Sequence, residues 1–114
     1  MSGGYFDYDQ YRIDRIADDV KQILVNVAEG DAPDYQQYEN FSTYESLVTG
    51  WKYLKIAAIF AQRIDYLISG DDSENSFHRR IKEDSLQYAR EKREIIELLN
   101  TIKERFSNEN KSNN

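Results

Sequence analysis

Between Ser42 and Phe106 the chain has no proline and only two glycines, Gly50 and Gly70, so little over that stretch can stop a helix. A sequence built this way is restricted to a few long helices. Three apolar periodicities fit that limit. Ile13, Ile16, Ala17, Val20, Ile23, Leu24 and Val27 recur at spacings of three and four, which predicts a helix over 9–29 with one apolar stripe. Asp7 or Asp9 can cap its first turn. Gly30, followed by Pro33, ends it, because glycine accepts the left-handed cap and proline cannot continue a helix.

A second helix is expected over 42–69. Ser42-Thr43-Tyr44-Glu45 has the spacing of a capping box, and Gly70 supplies the C-terminal cap. This helix carries two apolar stripes. Leu47, Trp51, Leu54, Ala58 and Ala61 form one; Ile56, Phe60, Ile64, Leu67 and Ile68 form the other. A helix apolar on two sides must be contacted by both other helices or by another subunit. The third helix, expected over 73–106, has Ile81, Tyr88, Ile95 and Ile102 every seven residues, with Phe77, Leu98, Leu99 and Phe106 in support. Its stripe thins midway, at Asp84, Ser85, Glu91 and Lys92. The expected fold class is therefore all-α: an antiparallel three-helix bundle with long helices, one domain over 1–106, a disordered tail over 107–114, and a homo-oligomeric assembly.

A chain of 114 residues supports one core but not two. Charged residues reach 32% against 39% hydrophobic ones, a balance that suits exposed amphipathic helices. Cysteine is absent, which excludes disulfides and thiol chemistry and fits a cytoplasmic location. No run approaches the roughly 18 apolar residues of a spanning helix, and no basic stretch precedes an apolar one as in a secretory signal. The net charge of −6 repels extended nucleic acid. Neither a membrane nor a long nucleic acid is expected as a partner.

Two short segments are richer than helix connections require. Ser2-Gly3-Gly4-Tyr5-Phe6-Asp7-Tyr8 sets three aromatic rings behind a glycine pair, and Tyr11 adds a fourth. Those rings can stack on a base or another flat ligand, or close one end of the bundle or a subunit interface. Ser69-Gly70-Asp71-Asp72-Ser73-Glu74-Asn75-Ser76-Phe77-His78-Arg79-Arg80 gathers acids, hydroxyls and cations at a helix start. Unpaired N–H groups there, with Ser76, His78, Arg79 and Arg80, can hold phosphate. The bland alternative is a capped helix, with Asp71 or Asp72 as cap and the arginines paired to nearby acids. The candidate ligand-binding set is Tyr5, Phe6, Tyr8, Tyr11, Ser76, His78, Arg79 and Arg80, suited jointly to a nucleotide.

Enzyme motifs are missing. His78 has no catalytic partner, and no hydroxyl has a base arranged to activate it. Glu91, Glu94 and Glu97 lie three apart on one helix, but the second helix offers only Glu45 and Asp65, so a magnesium-dependent nucleotide hydrolase lacks its facing carboxylates. No catalytic residue, metal or cofactor is expected.

The motifs Ser2 to Tyr8 with Gln10 to Ile13, Ala61-Gln62-Arg63-Ile64-Asp65-Tyr66-Leu67, Ser69 to Asp72, Ser76-Phe77 and Lys82-Glu83-Asp84 resemble a family of small helical accessory proteins of bacteriophages and prophage-bearing bacteria. The resemblance covers the first helix and the junction of the other two, and implies a phage-type accessory protein working in the host cytoplasm, with no catalytic residues to transfer. Two activities follow as expectations. One is sequestration of a small phosphorylated, nucleotide-type ligand to counter host defence signalling. The other is contact with a host protein through acidic helical faces bearing Asp14, Asp18, Asp19, Glu91, Glu94 and Glu97.

Overall fold

The computed structural model describes residues 4–112 and is built from three helices: α1 (Gln10–Glu29), α2 (Phe41–Ile68) and α3 (Glu74–Ser112), with a 3-10 turn at Asp34–Gln36. Ser2 and Gly3 of the aromatic motif, and tail positions 113–114, lie outside the described residues. Consecutive helices run antiparallel. Gln10 at the start of α1 meets Asp65 at the end of α2, while Phe41 and Tyr44 at the start of α2 pack on Phe106 of α3. The particle measures 62 × 24 × 18 Å, its long axis set by α3.

The core fills one end of this rod. Ala17, Leu24 and Ala28 of α1, Tyr44, Val48 and Trp51 of α2, and Ile95 and Ile102 of α3 are buried together. Trp51 is fully enclosed and stacks on Tyr88, with ring centroids 5.8 Å apart and planes at 15°. The Tyr44 hydroxyl ties down the irregular connector: it accepts from the Tyr38 N–H at 2.8 Å and donates to the Gln36 carbonyl. The Gln37 amide donates to the Ala32 carbonyl at 2.7 Å, which closes the connector on itself.

Helix ends agree with the sequence at the C-termini of α1 and α2 and depart from it at the N-terminal caps and at the end of α3. Gly30 adopts φ +81° and donates to the Val27 carbonyl while Asp31 donates to Asn26, closing α1 in the left-handed cap that glycine accepts. Gly70, also at φ +81°, does the same after α2. The expected side-chain N-caps do not form. Asp9 precedes α1 with helical dihedrals and no capping bond, because the preceding residues already form a turn. The capping box fails for a register reason: α2 begins at Phe41 after Asn40, which puts Ser42 inside the first turn. At α3 the cap is Ser73, whose Oγ accepts from the Ser76 N–H at 3.1 Å, rather than Asp71 or Asp72. Instead of ending at Phe106, α3 continues to Ser112; the polar residues beyond Phe106 contain no breaker.

Replacing Trp51 with alanine is expected to cost about 3–5 kcal/mol, since it removes a fully enclosed ring and leaves a cavity against Tyr88. Urea denaturation followed by circular dichroism reads this directly. Tyr35→Ala, at a residue 77% exposed, should shift stability by less than about 0.5 kcal/mol.

Candidate functional site

At the opposite end of the rod the interior changes character. On α2 the inward positions follow a four–three spacing: Tyr44, Val48, Trp51, Lys55, Ala58, Gln62 and Asp65. The early ones are apolar; Lys55, Gln62 and Asp65 are not. Lys55 recruits carboxylates of α1 and α3, whereas Gln62 and Asp65 share the Gln10 amide.

Asp65 is 1% exposed and lies in the last turn of α2, where the helix dipole opposes a negative charge. Its oxygens are filled by the N-terminus. The Gly4 N–H donates to Oδ2 at 2.9 Å, and the Tyr5 and Phe6 N–H groups donate to Oδ1 at 2.7 and 3.4 Å. The Gln10 amide adds a bond to Oδ2 at 2.9 Å, and the Ser69 hydroxyl reaches Oδ1 at 3.4 Å. Successive backbone N–H groups curled round a carboxylate form an anion nest. Burial pushes the Asp65 pKa upward, but the donors from Gly4, Gln10, Tyr5 and Phe6 outweigh it and hold the carboxyl below its ordinary range.

Closing this nest strains the loop. Gly4 takes φ +103°, and two non-glycine residues also take positive values, Asp7 at +53° and Tyr8 at +62°. The result exposes the rings instead of hiding them. Tyr5, Tyr8 and Tyr11 are 67%, 50% and 52% exposed; only Phe6 is half-buried. Tyr8 and Tyr11 stack with centroids 6.1 Å apart, and the Tyr11 hydroxyl accepts from the Gln62 amide. The motif is thus a docked platform, and its rings do not cap the core.

The cationic motif is largely committed to its own neighbours. Arg80 Nη1 lies 3.3 Å from the buried carboxylate of Asp72, and Arg79 pairs loosely with Glu83 on the surface at 3.7 Å. The Ser76 N–H is taken by the Ser73 cap, and His78 packs edge-on to Phe77. Among the described residues no hydrogen bond, ion pair or ring contact joins Tyr5, Phe6, Tyr8 or Tyr11 to Ser76, His78, Arg79 or Arg80. Within one chain the N-terminal rings instead meet the end of α2, where Arg63 lies over the Tyr66 ring at 5.5 Å and pairs with Asp84 at 2.8 Å.

Where α1, α2 and α3 face one another lies an open cavity of about 240 Å³, bordered by Gln10, Tyr11, Gln62, Tyr88 and Lys55. Lys55 gathers carboxylates from two helices: Asp14 at 2.9 Å and Asp18 at 3.8 Å from α1, and Glu91 at 3.3 Å from α3. Burial lowers its pKa, whereas the bond and charge of Asp14 and the charge of Glu91 raise it more, so the ammonium is held above its usual value. Half of the proposed acidic contact set, Asp14, Asp18 and Glu91, therefore turns toward a lysine, and Glu94 pairs with Lys21 at 2.9 Å. Excess carboxylate around one neutralised lysine makes this cavity a poor phosphate site. Among the described residues no group of three or more histidine, aspartate or glutamate side chains is arranged to hold a metal ion.

Lys55 and Asp65 were not singled out from the sequence as interior groups. The signal was available, since both fall on the four–three spacing through Trp51 and Ala58. Searches for related proteins add nothing to this picture: no family model, curated protein or solved structure matches the chain. No helix among the described residues is long and apolar enough to cross a membrane.

Two outcomes are expected. Because the folded Asp65 pKa is depressed, its contribution is present above the unfolded value of about 3.9 and is lost as pH falls through the folded value. Asp65→Asn should therefore melt below wild type at pH 7, with the gap closing under acid, as read by thermal denaturation across pH. Lys55→Met should cost about 1–3 kcal/mol, less than a fully buried pair because Asp14 and Asp18 are partly in water. Denaturant titration measures it.

Proposed function

We propose that this is a non-enzymatic binding protein that sequesters a small phosphorylated ligand of nucleotide type, acting as a homo-oligomer in the manner of a phage accessory protein directed at host defence signalling. The observation that carries the reading is the strained N-terminal loop. Two non-glycine residues with positive φ and a buried carboxylate are used to hold Tyr8 and Tyr11 stacked and in water. A loop that served only to close the bundle would bury those rings and has no need of such backbone strain. Stacked, pre-ordered tyrosines suit a flat ring, since little side-chain freedom is lost on binding.

The phosphate half of the reading rests on Arg79 and His78, both exposed, with Arg79 in a surface pair that a stronger anion displaces. Since rings and cations are not joined within one chain, the complete site needs groups from two chains. Contact with a host protein through acidic faces is the weaker alternative, because Asp14, Asp18 and Glu91 already face Lys55.

Native mass spectrometry of gently purified protein should show an oligomer carrying roughly a few hundred additional daltons per site, the mass range of a nucleotide-type ligand. In calorimetry with that ligand, Tyr8→Ala and Arg79→Ala should each abolish binding while the circular dichroism spectrum stays unchanged. Wild-type affinity in both variants would remove these residues from the site.

A further inference from the structure

The outward face of α2 is the mirror of its unusual interior. At 100° per residue, Tyr53, Ile56, Ala57, Phe60, Ile64, Leu67 and Ile68 fall within about 60° of one line, opposite the line through Trp51, Gln62 and Asp65. Five of them are large and open to solvent: Tyr53 at 71%, Ile56 at 39%, Phe60 at 44%, Ile64 at 37% and Ile68 at 46%. Extending the same face back to Ser46 adds Thr49 and Gly50. No Asp, Glu, Lys or Arg occurs on it, in a chain that is 32% charged. Solvated helical faces in this protein look different: the exposed sides of α1 and α3 alternate acids with Lys and Arg.

We infer that this face is a homodimer interface, on which α2 of a second copy packs with Phe60 near the two-fold axis. Three observations select a second copy as occupant. First, a face without charge offers nothing to a charged partner surface, yet it is fully complementary to itself, and a two-fold contact demands that self-complementarity. Second, its size is right. The five exposed side chains present of order 500 Å² per copy, so a pair removes about 1,000 Å² before the flanking residues are counted, enough for a specific interface. A patch of that size lies toward the upper end of what a monomer ordinarily leaves in water, where such patches often mark interaction surfaces. Third, the small side chains of Ala57 and Ala61 beside Phe60 let a partner helix approach closely, as helix packing requires. The dimer rests on these observations alone and does not depend on the identity of any ligand.

The absence of cysteine makes the test clean. Sedimentation equilibrium at about 100 µM should give twice the 13.5 kDa chain mass for wild type, and the single chain mass for Phe60→Glu with its helical spectrum intact. Phe60→Cys, which places the thiol next to its own copy at the two-fold axis, should form a disulfide-linked dimer under mild oxidation, whereas Tyr35→Cys, exposed but off the face, should not. A wild-type monomer at that concentration overturns the proposal and leaves the face to a different protein. Binding of the wild-type monomer to lipid vesicles, lost in Phe60→Glu, overturns it in favour of a membrane surface. A Phe60→Glu variant that remains dimeric places the interface elsewhere.

Discussion

A buried carboxylate is tolerable only when its oxygens are filled, and at Asp65 the filling comes from the other end of the chain. This one requirement organises the far half of the molecule. It draws the N-terminal loop onto the end of α2, fixes where α1 begins, and sets the loop dihedrals that turn Tyr5, Tyr8 and Tyr11 outward. Gly4 of the motif has its reason here as well. A side chain at Gly4 would combine an unfavourable positive φ with a contact 3.2 Å from the Tyr8 hydroxyl. The aromatic motif and the segment around Asp65 are therefore two halves of one device, although they are about sixty residues apart.

Along the rod the protein trades one kind of cohesion for another. Near Trp51 the helices are held by packed rings and aliphatic side chains. Past Lys55 they are held by ion pairs and amides reaching between α1, α2 and α3. Polar links of this kind contribute little net stability, but they fix orientation, because each donor has few acceptable acceptors. The apolar residues that would ordinarily fill such a core lie instead on the outer side of α2.

The helices and most of their ends could be read from the sequence because periodicity and helix-stopping glycines are local signals. Gly30 and Gly70 act as expected, and the double stripe of α2 separates into one inward and one outward face. Side-chain caps were less legible: one residue of register removes Ser42 from the cap position, and a preceding turn makes Asp9 redundant. The site was legible only in its parts. Both motifs stand out by composition and the inward spacing marks Asp65 as interior, but no local pattern pairs that side chain with the N-terminal backbone. Lys55 was hidden for a related reason. Its place on the inward spacing is legible, but only the approach of α1 and α3 gives it three carboxylates. Within one chain the rings do not reach the segment from Ser76 to Arg80; the fold brings them to Gln62 and Tyr66.

Chain ends usually exchange their amide hydrogens fastest, because nothing holds them. Here the N–H groups of Gly4, Tyr5 and Phe6 are bonded to a carboxylate inside the bundle, so their hydrogens become accessible to solvent only when the loop leaves α2. The beginning of the chain thus records the opening of the polar end of the rod, and its exchange rate is a clock for that opening alone.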